Sequence, residues 1–461
     1  MENGLLARNG GRVGLAALVA ILLIGLGLRL SYAWDGREPV FDAAAYAAIA
    51  ANLERGNGFT VGPAATQPSS NYSPGLPLLV AGAYEVTGGV HERTARVLLA
   101  LLGTLSVLFT YLLGRRLSRL LTLPGYRRAN SASVAAGLIG AAAVAVYPAL
   151  LEYQGMLMSE PLAATLLSGA VLAIFWASDR ESAMSWLLPG VLLGATAMVR
   201  PEYLGIALLL GVVVFACTVS SDWQRALTQV AILLAGVIVV VAPWTIRNAV
   251  ALDRAVPIST GGGQVLFAGT YLPSDGDPEK VGSEVVARHP ELFAPAAAQR
   301  LRLEQILARL AAARYPDLET DRALSRMGRE QLGDDISEQP LEFAGFLATK
   351  VGRIWSHGPR EVMRAPAWEA LHWTLVGFGL LGLGLLAWRR RWEALVLATV
   401  FLAITALSAL LVASPRRVLV MLPLVAALAG VGATWLGGAA WERRSKGAPP
   451  RTANSVSPGR T

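Results

Sequence analysis

Long apolar stretches separated by short polar segments cover most of this chain. Runs of about 18 apolar residues or more cross roughly 30 Å of hydrocarbon as helices. About ten such spans are read, at 13–33, 94–114, 132–150, 159–177, 186–200, 202–219, 228–246, 368–388, 393–413 and 417–437. Backbone groups in lipid must be satisfied within the chain, so these runs are helical. The fold class predicted is an all-α polytopic membrane protein. The fifth run is short, which suits a tilted, broken or partly re-entrant segment.

Two intervals between spans are long, 34–93 and 248–366. The first carries an Ala-rich helical stretch at 43–54 suited to lying along the membrane. In the second, Leu301, Ile306, Leu307 and Leu310 recur at helical spacing within 297–315. A second helix is expected over 320–332. A third, over 341–355, carries Phe343, Phe346, Leu347 and Val351. These read as interfacial helices over the ends of the spans. The organisation expected is a membrane module over 1–247 with its first outer loop at 34–93, a helical outer loop at 248–366, a C-terminal helical part at 367–440, and a Pro/Ser/Gly/Arg-rich disordered tail at 441–461.

Composition agrees: 54% of the 461 residues are hydrophobic and 16% charged, below the roughly 25% charged residues of soluble proteins. A net charge of +8 would suit nucleic acid, but the basic residues sit in short loops between spans, so a nucleic-acid partner is not expected. Arg115, Arg116, Arg119, Arg127 and Arg128, then Arg180, Arg225 and Arg389 to Arg391, with Arg443, Arg444 and Lys446 beyond the last span, fall on one side. The turn 151–158 on the other side has no Lys or Arg. The positive-inside rule therefore places both termini in the cytoplasm and both long loops outside the plasma membrane. The first span, preceded by Arg8 and Arg12, reads as an uncleaved helix rather than a removed signal. One cysteine, Cys217, allows no intrachain disulfide, and the four histidines are scattered.

Chemistry is sparse and lies at the outer ends. Asp42 begins the Ala-rich helix, as a helix cap or as a general base or metal ligand. Glu160, before Pro161, stands where the chain re-enters the membrane. It either complements a helix dipole or works in a site. Arg200, Arg247, Arg416 and Arg417 lie on the outer side, against the positive-inside trend. Interfacial snorkelling would explain any one of them; together they suit an anion such as phosphate. No phosphate-cradling glycine loop, zinc-binding His-Glu-x-x-His or nucleophile elbow is present. Gly261 to Gly263 lacks the following Lys and Ser or Thr.

Several landmarks occur in order. They are Asp42 with Tyr46 and Leu53, Gly56, Gly58 and Phe59; Ser73-Pro74-Gly75-Leu76-Pro77; Met158-Ser159-Glu160-Pro161; Gly194 through Arg200-Pro201-Glu202; Pro243-Trp244-Thr245-Ile246-Arg247-Asn248; and Arg416 through Pro423. On these the chain resembles the GT-C superfamily of integral-membrane glycosyltransferases, in particular bacterial relatives of the protein O-mannosyltransferases (glycosyltransferase family 39) and aminoarabinose transferases.

The resemblance implies a GT-C-type bundle and a polyprenyl-phosphate-linked sugar donor. It implies a lipid, glycan or protein acceptor met on the extracytoplasmic side among membrane lipids, with inversion at the anomeric carbon. It makes Asp42 the main catalytic carboxylate and Glu160 its assistant, the two also being candidate ligands of a divalent metal. Arg200, Arg247, Arg416 and Arg417 become donor-phosphate contacts, with Tyr46, Tyr72 and Glu202 in the substrate pocket. Asn71 and Tyr72 stand where aminoarabinose-type relatives carry a basic residue, and Arg416-Arg417 where they carry Arg-Tyr. A transporter or flippase of a lipid-linked saccharide is the rival reading. It usually shows internal repeats with broken helices at mid-membrane, and no convincing repeat is seen.

Overall fold

The computed structural model describes residues 2–35, 38–40, 42–62, 67–121, 129–220, 222–277, 279–293, 301–356 and 358–447. The basic residues Arg127 and Arg128, the first part of the helix expected from 297, and the tail beyond Gly447 lie outside them. Among the described residues the fold is all-helical. The helices are α1 (Glu2–Trp34), α2 (Asp42–Glu54), α3 (Gly75–Thr87), α4 (Glu92–Leu121), α5 (Ala129–Val146), α6 (Pro148–Gly155), α7 (Ser159–Ser178), α8 (Leu187–Val199), α9 (Tyr203–Thr218) and α10 (Trp223–Leu252). Then come α11 (Gly262–Thr270), α12 (Val281–Arg288), α13 (Leu303–Arg314), α14 (Thr320–Glu338), α15 (Pro340–Ser356), α16 (Pro366–Trp388), α17 (Trp392–Leu410) and α18 (Val418–Gly447).

Among the described residues seven helices are long and apolar enough to cross a membrane, so this is a multi-pass membrane protein. The third expected span is a pair, α5 and α6, bent by 48° at Tyr147. The fifth and sixth are shorter apolar helices, Ala183–Val199 and Tyr203–Thr218. The bend has a covalent cause. Pro148 has no N–H, so the carbonyl of Val144 loses its helical partner. The buried Arg29 of α1 replaces it: Nη2 donates to Val144 O at 3.2 Å, and Nη1 to Ala145 O at 3.3 Å. A charged residue inside the bundle thus satisfies backbone that the break leaves open.

α18 is the central helix. Within the apolar span Pro415–Gly438, 83% of the most apolar stretch is enclosed, against 22% for α1. It packs on α4, α5, α7 and α16. Gly430 permits the contact with α5, since a Cβ there would sit 2.0 Å from Ala136 O. The helices α11 to α14 gather a smaller core of their own around Phe267, Tyr271, Val281, Val285, Phe293, Leu307 and Leu324. Helices α3, α11 and α12 are not among those expected from the sequence. α11 and α12, of 9 and 8 residues, are too short to show as periodic runs.

The two long loops meet at the same end of the bundle. Ser70 and Thr260 share a hydrogen bond at 3.0 Å, and the Thr260 hydroxyl donates to Asn71 Oδ1 at 2.9 Å. α3 is docked there through Gly75, whose Cβ would lie 2.8 Å from the backbone of Met198 and Val199. The Ser73-Pro74-Gly75 landmark is therefore a close approach to the last turn of α8, immediately before Arg200.

Candidate functional site

Four chain segments deliver charged side chains to one place, each through a short device that stops or starts a helix. Asp42 stands in the first turn of α2, where a carboxylate complements the helix dipole. Its side chain turns to Arg416, which answers whether it acts only as a cap. Glu160 opens α7 after a tight connection from α6. There Leu157 adopts φ +58°, a left-handed conformation uncommon away from glycine, asparagine and aspartate. Arg200 ends α8 in an extended conformation enforced by Pro201, and Glu202 precedes α9. Arg416 and Arg417 lie in a 3-10 turn, Pro415–Arg417, that leads into α18.

Together they form a ladder of alternating charge. Arg416 Nη1 donates to Asp42 Oδ2 at 2.9 Å. Arg416 Nε lies 3.6 Å from Glu160 Oε1, and Arg200 Nη1 donates to that same oxygen at 3.1 Å. Arg200 Nη2 then reaches Glu202 Oε1 at 2.9 Å, which also accepts from Arg417 Nη1 at 2.9 Å. Three carboxylates face three guanidinium groups, so the ladder is neutral.

Exposure is uneven along it. Asp42 and Arg416 keep 38% and 35% of their side-chain surface open, whereas Glu160 keeps 1%. Glu160 Oε2 is buried without a hydrogen-bond partner. Burial opposes the charge of Glu202, but Arg200 and Arg417 outweigh it and hold its carboxyl down at about 2. Burial likewise opposes the charge of Arg200, which Glu202 and Glu160 more than restore, raising it above its ordinary value. Tyr46, one turn after Asp42, is buried and hydrogen-bonded to Ser159. Burial, with the charges of Asp42 and Glu160, pushes its hydroxyl up to about 12. It therefore stays a neutral donor. Tyr72 packs edge-on against its ring at 5.8 Å.

Arg247 is placed elsewhere. Its guanidinium lies over the Trp244 ring at 4.8 Å and the Phe59 ring at 5.5 Å. It donates to Ser69 O at 3.0 Å and Phe59 O at 3.3 Å, tying the first loop to α10. The Trp244-x-x-Arg247 spacing is the sequence signal for this, since residues three apart share a helix face.

Two features were not anticipated. Ser159 joins the site through Tyr46 and lies 3.4 Å from Arg200 Nη1. Lys350 of α15 is buried, and its ammonium donates to Gly269 O at 2.5 Å and Leu411 O at 2.7 Å. Leu411 opens the segment that carries Arg416 and Arg417.

A divalent ion at Asp42 and Glu160 would need oxygens at roughly 2.0–2.6 Å. The space between these carboxylates already holds the Arg416 guanidinium, and Arg200 bonds the Glu160 oxygen that faces it. Among the described residues no three His, Cys, Asp or Glu side chains are grouped to hold a metal. The donor set as folded does not fit one.

No protein-family model matches the chain, and no curated protein matches it in sequence. Solved structures do. The oligosaccharyltransferase AglB from Archaeoglobus fulgidus, in complex with an inhibitory peptide and a dolichol-phosphate, aligns with 95% of this chain and 52% of its own, at 16% identity and TM-score 0.55. The same organism's enzyme in complex with Zn and sulfate aligns with 93% of this chain and 50% of its own, at 15% identity and TM-score 0.54. ArnT from Cupriavidus metallidurans bound to undecaprenyl phosphate covers 95% and 81% at 14% identity, with a TM-score of 0.40, too loose to bear weight.

The fold is thus that of the archaeal oligosaccharyltransferase structures. The chain spans about half the length of the archaeal structures it matches.

Proposed function

We propose that this protein is a membrane glycosyltransferase that moves a sugar from a polyprenyl-phosphate-linked donor to an acceptor hydroxyl on the extracytoplasmic face of the plasma membrane, with inversion. The observation that carries the reading is the charge ladder. Side chains from α2, α7, the α8–α9 turn and the start of α18 converge at one end of a lipid-embedded bundle, open at Asp42 and Arg416 and closed behind them. Such a substrate presents an apolar tail, an anion and a polar head. A bundle wall, guanidinium groups and carboxylates match these in turn. The positive-inside distribution puts this end outside. The archaeal relative in fold is described with a dolichol-phosphate and a peptide, which accords with a lipid-phosphate donor.

On this reading Asp42 takes the proton of the acceptor hydroxyl. The hydroxyl oxygen bonds to the anomeric carbon as the bond from that carbon to the phosphate oxygen breaks through an oxocarbenium-like state. The electron pair leaves on the phosphate, and the added negative charge meets Arg416, with Arg200 and Arg417 behind it. Polyprenyl phosphate departs, and the proton passes from Asp42 to solvent. Glu160 fixes Arg416 and Arg200, and Tyr46 and Tyr72 wall the sugar side.

The test incubates purified protein with a panel of polyprenyl-phosphate sugars and measures released polyprenyl phosphate. Asp42→Asn is expected to lower turnover by about 10²–10⁴-fold, the usual contribution of a general base. An Asp42→Asn protein with normal elution and melting that turns over at the wild-type rate would refute the assignment.

A further inference from the structure

Two carboxylates at the mouth of a site, held by a permanently charged side chain, raise the question of which cation serves the reaction. We propose that Arg416 is the resident cation of the site. It occupies the place between Asp42 and Glu160 that a divalent metal would need, so the transfer runs on guanidinium groups without a metal. This rests on the transferase reading above.

The geometry supplies each part. Arg416 Nη1 is bonded to Asp42, and Nε faces Glu160 at 3.6 Å. Nη2 has no partner among the described residues, so its N–H groups remain for a phosphate oxygen. Arginine does not lose its proton in proteins, so this charge is as permanent as a metal's. Its planar donors suit the oxygens of a phosphate.

The charge balance agrees. A divalent-ion site has carboxylates in excess of fixed cations, whereas here each of Asp42, Glu160 and Glu202 has a guanidinium partner. The guanidinium is also held in place. Pro415 begins the 3-10 turn, and the Arg417 N–H closes it onto Ser414 O at 3.1 Å. Arg417 is anchored in turn to Glu202. A metal would have to displace Arg416 from Asp42 and share Glu160 with Arg200.

Two measurements decide the matter. In the first, metal-stripped wild-type protein is titrated with Mn²⁺ and followed by electron paramagnetic resonance. No saturable one-to-one binding is expected below about 1 mM, the weak limit of protein sites for hard cations. A saturable Mn²⁺ site in the wild type that Asp42→Asn abolishes would overturn the proposal. In the second, turnover is compared with and without EDTA. Unchanged turnover is expected; loss restored by Mg²⁺ or Mn²⁺ would overturn it.

Arg416→Ala is expected to lose about 10²–10³ in turnover, the scale for removing a preorganised donor. Added guanidinium ion should restore part of it and Mn²⁺ none; rescue by Mn²⁺ alone would count against the proposal. If no donor turns over at all, the transferase reading fails, and the Mn²⁺ titration still decides which cation the carboxylates hold.

Discussion

Replacing Lys350 by methionine removes a charge from a place where the structure makes a charge costly. The residue is 1% exposed, and its ammonium rests on two backbone carbonyls and lies 4.9 Å from the Phe346 ring centre. Burial, and then the positive charges of Arg417 and Arg353, bring its pKa from 10.5 to about 7. At about 1.4 kcal/mol per unit, that drop is worth about 5 kcal/mol. The sign follows from linkage. Between pH 7 and 10.5 the unfolded chain binds the proton that the folded chain has released, so folding grows more favourable as pH rises through this window. Below about 7 both forms are protonated and the slope vanishes. Lys350→Met also leaves the Gly269 and Leu411 carbonyls without a donor, at a cost of about 1–3 kcal/mol each that does not depend on pH. The quantity to measure is therefore the melting temperature of the wild type minus that of the variant, followed by tryptophan fluorescence in detergent from pH 6 to 9.5. All other titrating groups cancel in the difference. At roughly 1–2 °C per kcal/mol for a chain of this size, the difference should be flat below pH 7 and climb by several degrees above it. A flat difference throughout would show that Lys350 is not held as a desolvated ammonium. Identical scan rates are needed, because unfolding of such proteins is often irreversible.

Two further outcomes follow from the packing of the site. Gly75→Ala should push α3 off the last turn of α8, because its Cβ would meet the Met198 and Val199 backbone at 2.8 Å. A fall in turnover from the displaced Arg200, with a lower melting temperature from the backbone overlap, is expected, and unaltered turnover would argue that the α3 contact does not set that turn. Glu202→Gln leaves Arg200 and Arg417 facing each other, which should destabilise the protein by about 3–5 kcal/mol at neutral pH, the usual cost of breaking a buried pair. Because Glu202 titrates at about 2 rather than 4.5, its contribution is complete above pH 4.5 and fades as pH falls toward 2. Melting curves of wild type and variant that stay parallel down to pH 3 would contradict this.

The bundle was legible because lipid imposes length and apolarity on every span, and that signal survives in any window of the sequence. The short helices were not, since α3 and α11 owe their form to docking rather than to periodicity. In the site, Asp42 and Glu160 could be singled out as carboxylates bordering apolar runs, and Arg200-Pro201-Glu202 as a turn. Which arginine meets which carboxylate could not, because Asp42 and Arg416 are 374 residues apart in sequence. Arg247 illustrates the limit from the other side: residue type and position suited phosphate, yet aromatic rings and loop carbonyls hold it. Lys350 left a trace that could have been read. Phe343, Phe346, Lys350 and Ile354 lie on one buried stripe of α15, and a lysine at an apolar position of an amphipathic helix points to a specific acceptor.

The gradient along the ladder divides its residues by what their loss should do. At the Glu202 end, Arg200, Glu202 and Arg417 are 11%, 20% and 12% exposed and bonded to one another. Charges that deep repay their desolvation only through mutual contact, so changes there act first on stability and on the path of the α8–α9 turn. At the open end the Asp42–Arg416 pair is half-buried, with 38% and 35% of the two side chains open, so a group entering from that side meets both partners. Glu160 lies between the two ends with one oxygen committed to the arginines and the other buried and unpartnered, so its charge depends on Arg200 and Arg416 together and losing either should cost more than losing the Asp42 contact.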